Sequence, residues 1–556
     1  AGDQLQHIGT RAPDAIGDLL QQASESHLQW ADVYVDTPQT YQQLLTAPQQ
    51  FDEHFYETVL RAWSTLVCAD KLDAATLTVP ADAPRRPSLD DFRAKIEDLP
   101  DGATPTEQQM NKLRSQAHDR AWQRLLDHHE QGDRLFNIAL PTGFGKTLTG
   151  LRAGLELAEQ RDSRVIYALP YTSIIDQVDD VCQEFLGVAA GDSEYTIHHH
   201  LADTWTDLSA VADAERPNDG SASLYAETWQ AGVVLTTFTQ LFESVAGPGN
   251  TQSMKLPALD ESIIVVDEPQ AVPHDWWNLV SRLTAYLMRE YDATVIQMTA
   301  TQPRFLEREQ DLPSPISLTE TYEDCLAFLN SNPRVEFHIH DSLSEHLPAG
   351  GGEPLPIDQA ATELQAATPR GSTSLAVVNT IESAASLTEA LTAEQTAGEP
   401  LQLASELCQF QQRTSGHDDD DLDSQAARYL QYLDDHATAA GDTLLATLTT
   451  RIRFRDRELL LAALKQILDQ DQSTPFDDSA TIAVSTQLIE AGVDVSFDRL
   501  FRDFAPLPSL VQAAGRCNRE FDGTTGTVTA WRLAAPDATA KPPSELIYGR
   551  QSLLRP

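Results

Sequence analysis

Short apolar runs alternating with helical patterns constrain this chain more than any other feature. Between residues 107 and 330 they are "FNIAL", "RVIYAL", "GVVLTTF", "SIIVVDE" and "TVIQMTA". Between 331 and 535 they are "RVEFHIH", "SLAVVN", "TLLATL", "TIAVST", "RLFRDF" and "GTVTAW". A strand that is apolar on both sides needs cover on both faces, and intervening helices supply it, so each series predicts a parallel sheet. The expected fold class is α/β, with two tandem parallel-sheet domains preceded by an all-α segment. The leading segment, 1–80, shows no strand signal, and "FDEHFYETVLRAWSTLVCADKL" spaces its apolar positions as a helix does. A proline- and charge-rich stretch, 81–106, reads as a connection. Domains are expected at 107–330 and 331–535, with 536–556 beginning a further region. At 556 residues the chain is too long for one core and suits about three or four units.

The first domain opens on "FNIALPTGFGKTLTG", a strand, a glycine-rich loop and a helix start. Gly143 and Gly145 let backbone amides turn toward a phosphate, Lys146 neutralises it, and Thr147 can ligate magnesium. Thr142, Gly143, Phe144, Gly145, Lys146 and Thr147 are therefore the candidate nucleotide loop, although Leu140 stands where the first glycine of this pattern usually lies. A nucleotide enzyme also needs a carboxylate for magnesium and a base for water. Asp267 and Glu268 end the strand "SIIVVDE", where parallel sheets place ligand groups. In the second domain "LVQAAGRCNRE" puts Gln512, Arg516 and Arg519 on an expected helix, with the arginines three apart on one face. Arginines from a second domain can complete a divided nucleotide site, and its closure is the basis of a motor.

The net charge of -45, with only seven lysines among 39 basic residues, calls for a salt-adapted (halophilic) host. At molar salt the screening length falls to about 3 Å, and such a surface no longer repels itself. By itself, this charge argues against binding nucleic acid, and the motifs have to outweigh it. The chain has no run of about 18 apolar residues and no basic and apolar leader, so a cytoplasmic protein with no membrane partner is expected. Five scattered cysteines without a C-x-x-C pair exclude a zinc ribbon or disulfide framework.

The ordered set "LPTGFGKT", "YALPYTSIIDQ", "VVLTTFTQLFES", "VVDEPQ", "MTATQP", "LAVVNT", "VSTQLIEAGVDVSFD" and "QAAGRCNRE" resembles superfamily 2 helicases. It more closely resembles the helicase part of the CRISPR-associated helicase-nuclease of type I systems, over about residues 107–530. The resemblance implies two RecA-like domains, ATP and Mg2+ as cofactors, and 3'-5' movement on single-stranded DNA. It also implies recruitment by a type I CRISPR surveillance (Cascade-like) complex that has already opened the target. By position, Lys146 and Thr147 would hold phosphate and magnesium, Asp267 the metal, and Glu268 the attacking water. Gln270 would couple that site to the second domain, and Thr299 and Thr301 would link hydrolysis to strand movement. Gly492 and Asp494 would face the nucleotide from the second domain, completed by Gln512, Arg516 and Arg519. Strand contacts would come from Pro170, Thr172, Thr237 and Gln240, and from Asn379, Thr380, Thr486 and Gln487. Such contacts reach phosphates and carry no sequence information.

The family usually places an HD-type nuclease before the helicase. "STLVCADKLDAA" resembles the closing helix of that domain, with Asp70 as its last metal-ligand aspartate, but the earlier His-Asp doublet is missing. His-Asp pairs beginning at His118, His274, His340 and His417 lie in the helicase region, and the run His198, His199, His200 suits a metal poorly because neighbouring side chains diverge. The expectation is a fragment that begins partway through the nuclease and stops in a truncated C-terminal region. It would carry the ATPase motor without a competent nuclease, whose complete form would use a divalent transition metal. Two other readings are an RNA or repair helicase outside CRISPR, and a nucleotide-gated clamp on nucleic acid.

Overall fold

The computed structural model describes residues 53–74, 84–102, 104–189, 194–199, 224–246, 249–299, 312–320, 322–346, 352–393, 400–413, 422–436, 443–469, 473–490, 493, 495–519, 525–537 and 541–549. They divide into two compact units, the first ending at Glu320 and the second beginning at Thr321. The four loop residues Pro141–Phe144 group with the second unit. Among the described residues no helix is long and apolar enough to cross a membrane.

Helix α1 (Glu53–Ala74) opens the first unit, followed by α2 (Leu89–Glu97) and α3 (Pro105–Glu130). The segment read as a plain connection thus contains a helix. Ser88 caps it by accepting from Asp91 N, and its buried Phe92 packs edge-on against Phe185. An apolar face of two or three residues was too little to stand out among prolines and charges.

The alternation then runs β1 (Leu135–Ala139), α4 (Lys146–Arg161), β2 (Val165–Leu169), α5 (Thr172–Leu186), β3 (Tyr195–His198), β4 (Val233–Thr237), α6 (Phe238–Ala246), β5 (Ile263–Asp267), α7 (Trp277–Glu290), β6 (Thr294–Thr299) and β7 (Ile316–Ser317). These seven strands form one sheet in the order β3-β4-β2-β5-β6-β1-β7, and every pairing is parallel. Residues of β2, β4, β5 and β6 are buried throughout, which is the sandwiched environment that their apolar sequences predict. Helix α4 lies so close to the sheet that a Cβ at Gly150 would meet Met298 Sδ at 1.9 Å. That closeness fixes the start of α4 against the end of β6.

The second unit holds α8 (Tyr322–Ser331), β8 (Val335–Ile339), α9 (Ile357–Ala367), β9 (Thr373–Val377), α10 (Ile381–Ala393), β10 (Leu401–Gln402), α11 (Leu403–Arg413), α12 (Leu422–His436), β11 (Thr443–Leu448), α13 (Phe454–Leu468), β12 (Ala480–Ser485), β13 (Arg499–Asp503), α14 (Leu507–Ala514), β14 (Gly526–Trp531) and α15 (Pro543–Tyr548). Its sheet, also wholly parallel, runs β10-β11-β12-β9-β13-β14-β8. One apolar cluster, including Leu375, Leu403, Leu464 and Val528, covers one side of the sheet, and another, including Ala361, Leu387, Ile482 and Trp531, covers the other.

Strand positions match the eleven apolar runs, while β3, β7 and β10 are additions of two to four residues. The polar stretch 341–357 contributes buried Leu355, which bridges Leu533.

Candidate functional site

Within the first unit, candidate residues gather at the C-terminal ends of β2, β5 and β6 and at the N-terminus of α4. Gly145 caps α4 with φ 72° and ψ 31°, and Gly143 has φ 90°, left-handed values that glycine adopts without strain. Lys146 is the first helical residue, so free amides of the first turn surround its base as in other anion sites.

The Lys146 ammonium is ion-paired with Glu268 Oε1 and lies 3.7 Å from Asp267 Oδ1. Asp267 is buried and accepts from the Tyr167 hydroxyl through Oδ2 at 3.0 Å. Its other oxygen, Oδ1, makes no hydrogen bond. Burial pushes the Asp267 carboxyl up and the Lys146 ammonium down, and each partner opposes the shift of the other. Tyr167 also meets the side chain of Thr147, so one buried hydroxyl spans the two expected metal ligands. A buried carboxylate oxygen without a hydrogen bond, beside a threonine hydroxyl, is a donor set that fits a hard cation such as Mg2+.

Glu268 is held in the left-handed region at φ 54° and ψ 52°, a conformation that costs a side-chain-bearing residue about 1–3 kcal/mol and concentrates at functional sites. Its amide donates to Met298 O at 2.8 Å, which locks this turn to β6. Glu268 Oε2 accepts from Gln270 Nε2, and Gln270 Oε1 accepts from Thr299 Oγ1 at 2.9 Å. One line of polar contacts therefore joins Lys146, Glu268, Gln270 and Thr299. Thr301, the other expected coupling residue, lies outside the described residues.

All eight expected strand-binding residues lie at or just after the C-terminal end of a strand. Pro170 and Thr172 follow β2, while Thr237 ends β4 and Gln240 lies on α6. Thr237 accepts from Gln240 N, and Gln240 Oε1 accepts from the buried Lys255 ammonium at 2.5 Å, over the Trp229 ring. In the second unit Thr380 caps the start of α10 by accepting from Ser383 N, and Thr486 and Gln487 follow β12. Asn379 is buried, with its amide bonded to Asp503 Oδ2, Phe504 O and Arg502, so its side chain holds the domain together rather than facing solvent.

The arginine segment differs from expectation. Helix α14 carries Gln512 but ends at Ala514, so Arg516 and Arg519 do not share a helical face. Gly515 accommodates the helix end, Arg516 N turns back to Ala513 O, and Asn518 adopts φ 46°. A bridge between Phe497 and Cys517 then pulls the chain into extended pairing. Arg516 is buried and donates through Nε to Ile489 O and through Nη2 to Glu490 O, each at 3.0 Å. The Arg519 amide donates to Ser496 Oγ at 2.9 Å. Gly492 and Asp494 lie outside the described residues.

Sequence reasoning missed Tyr167, Lys255 and Arg502. Each is a polar residue that folding buries, and a tyrosine inside "RVIYAL" or an arginine inside "RLFRDF" was the only signal.

Asp70 is exposed on α1, and among the described residues no group of three or more His, Cys, Asp or Glu side chains could hold a metal ion. His198 and His199 are buried, and burial with Lys255 and His199 nearby pushes the His198 imidazole down to about 3. His118 is pushed down to about 4, chiefly by burial. His340 accepts or donates at Ser342 Oγ, 2.9 Å away. His200 and His417 lie outside the described residues, as does the side chain of His274.

Comparison with known proteins agrees with this arrangement. Residues 370–522 match the family described as CRISPR-associated nuclease/helicase Cas3, C-terminal, and residues 110–304 match Type III restriction enzyme, res subunit. A CRISPR-associated nuclease/helicase Cas3 of Haloferax volcanii is 32% identical over 99% of this chain, which spans 65% of that protein's length. Among solved structures, T. fusca Cas3 with AMPPNP is similar at a TM-score of 0.52 and 17% identity, over 92% of this chain and 54% of that one. T. fusca Cas3 with ADP reaches a TM-score of 0.54 at 18% identity, over 89% and 52%. The two parallel sheets have the tandem RecA-like arrangement of these structures.

Proposed function

The chain belongs to the CRISPR-associated helicase-nuclease family, and from that premise we propose that it is an ATP-driven motor that moves 3'-5' along single-stranded DNA. In this reading it works in the cytoplasm and acts on targets opened by a type I surveillance (Cascade-like) complex. The observation that carries the reading is the line from Lys146 through Glu268 and Gln270 to Thr299, beside Asp267 Oδ1, which faces Lys146 and makes no hydrogen bond.

Lys146 and the first-turn amides of α4 bind the nucleotide's phosphates. Phosphate competes with Glu268 for the Lys146 ammonium. Once Lys146 turns to phosphate, the Glu268 carboxylate loses its counter-charge and is free to take a proton from water. Asp267 and Thr147, bridged by Tyr167, hold Mg2+, which when bound neutralises charge on the transferred phosphoryl group. Gln270 passes the state of Glu268 to Thr299. Gly492, Asp494, Gln512, Arg516 and Arg519 are the second unit's residues assigned to the nucleotide by the family's motifs, and the strand-end residues other than Asn379 grip the DNA backbone. The acidic surface suits a host where salt already screens phosphates and counterion release contributes little. Helix α1, with Asp70, is read as the closing helix of an HD-type domain.

The test is magnesium-dependent ATP hydrolysis in molar potassium chloride, with single-stranded DNA, with RNA and without either, using Lys146→Ala as the blank. DNA stimulation lost in that variant supports the motor. Stimulation by RNA alone, or none with folded protein, overturns the DNA assignment.

A further inference from the structure

We infer that Glu490 and Arg502 are positioning residues for Arg516, and that Tyr548 ties the same pair to Gln487. This deepens the motor reading and rests on it. All five residues belong to the second unit, and none of Glu490, Arg502 and Tyr548 has a role in the scheme above.

Arg502 lies on β13 with its side chain fully buried. A guanidinium in that position needs partners: Nη1 and Nη2 are hydrogen-bonded, while Nε has an ion-pair contact without a hydrogen bond. Its Nη1 donates to Asn379 Oδ1 and to Asp503 O, each at 2.7 Å, and its Nη2 to the Tyr548 hydroxyl at 3.3 Å. Its Nε faces Glu490 Oε1 at 2.7 Å.

Glu490 is consequently engaged twice. Its carboxylate is held by Arg502, while its carbonyl, with that of Ile489, receives the two donors that orient Arg516. A guanidinium is a rigid fork, so two fixed acceptors set its direction. The short helical turn Gln487–Ile489 carries one of these acceptors and Gln487 itself, and Glu490 ends it. Whatever shifts Glu490 shifts the aim of Arg516.

Tyr548 brings in the other end. It comes from α15, which is pinned beside β14 by a buried ion pair between Arg532 and Glu545 at 2.7 Å. Its hydroxyl accepts from Arg502 and from the side-chain amide of Gln487, and it meets Ser509 on α14, the helix that leads to Gln512 and Arg516. In this low-dielectric setting each contact polarises the next. A strand that engages Gln487 therefore acts on a side chain already bonded to the network that holds Arg516.

The experiment uses the full chain in molar potassium chloride, comparing wild type, Glu490→Gln and Tyr548→Phe. Steady-state ATP hydrolysis is measured with and without saturating single-stranded DNA, and turnover is counted per bound nucleotide analogue so that unfolded protein does not enter. Glu490→Gln is expected to lower kcat by roughly tenfold with the ATP KM changed by less than about threefold. Tyr548→Phe keeps the ring and removes only the hydroxyl. It is expected to cut DNA stimulation by about threefold or more while DNA affinity without nucleotide stays within about twofold. Both variants within about twofold of wild type in every quantity would overturn the inference. If Glu490→Gln does not fold, Tyr548→Phe decides the question. If wild type hydrolyses ATP without responding to DNA, the motor reading fails on its own, and unstimulated kcat of Glu490→Gln still tests the aim of Arg516.

Discussion

Lys146 and Glu268, 122 residues apart in the chain, are joined by an ion pair at the strand ends of the first unit. Each is the other's counter-charge until phosphate arrives, so the two sides of the pair can be separated by mutation. Glu268→Gln keeps the shape and removes the basicity. ATP-analogue affinity should stay within a few-fold, while turnover falls by about 10²–10⁴. Paired binding and single-turnover measurements check this, and unchanged turnover would refute Glu268 as the base.

Tyr167→Phe removes the hydroxyl between Asp267 and Thr147 without emptying the core. Outer contacts of this kind typically contribute about 10-fold or more to metal affinity. The magnesium concentration for half-maximal ATPase should rise by about that factor, and excess magnesium should restore the rate. A magnesium titration of the two proteins decides it; a rate loss that magnesium cannot repair would count against the assignment.

Asp503 is fully buried, and burial pushes its carboxyl up to about 6 despite hydrogen bonds from Leu533 N, Phe504 N and Asn379. The folded state therefore holds the proton more tightly than the unfolded chain does. The associated stability is complete below the ordinary carboxylate range and lost as pH rises through about 6. Relative to Asp503→Asn, wild type should lose up to about 3 kcal/mol between pH 4 and pH 7. Melting curves of both proteins at fixed molar salt test this, and a constant difference across that range would exclude it.

A net charge of -45 should make folding depend on salt. Dilution to about 0.1 M lengthens the screening distance to about 10 Å and exposes neighbouring carboxylates to one another. Melting temperature should climb steadily with potassium chloride up to the molar range. A flat response would mean that the acidic surface serves something other than salt adaptation.

What could be read beforehand was the part written in periodic pattern. The eleven apolar runs became strands, most of them largely buried although β8 lies exposed at its sheet edge, and Lys146, Asp267 and Glu268 were locatable because a parallel sheet puts its ligand groups at strand ends. Strands as short as β7 and β10 have too few residues to show a period. Arg516 and Arg519 misled for a different reason: a helix was extended through Gly515, where the chain in fact turns. Arg502 and Tyr548 were invisible because their partners come from distant segments, and a buried ion pair leaves no local signature.

Gln270 has a direction. Its nitrogen points at Glu268 and its oxygen at Thr299. A carboxylate can only accept, so turning the amide end for end would set oxygen against oxygen. A Glu268 that has gained a proton can donate, and then the turned amide is equally well satisfied, with the Thr299 hydroxyl reversing to match. On protonation of Glu268 either orientation of the amide would be satisfied, so the constraint that fixes Gln270 would be released by one proton.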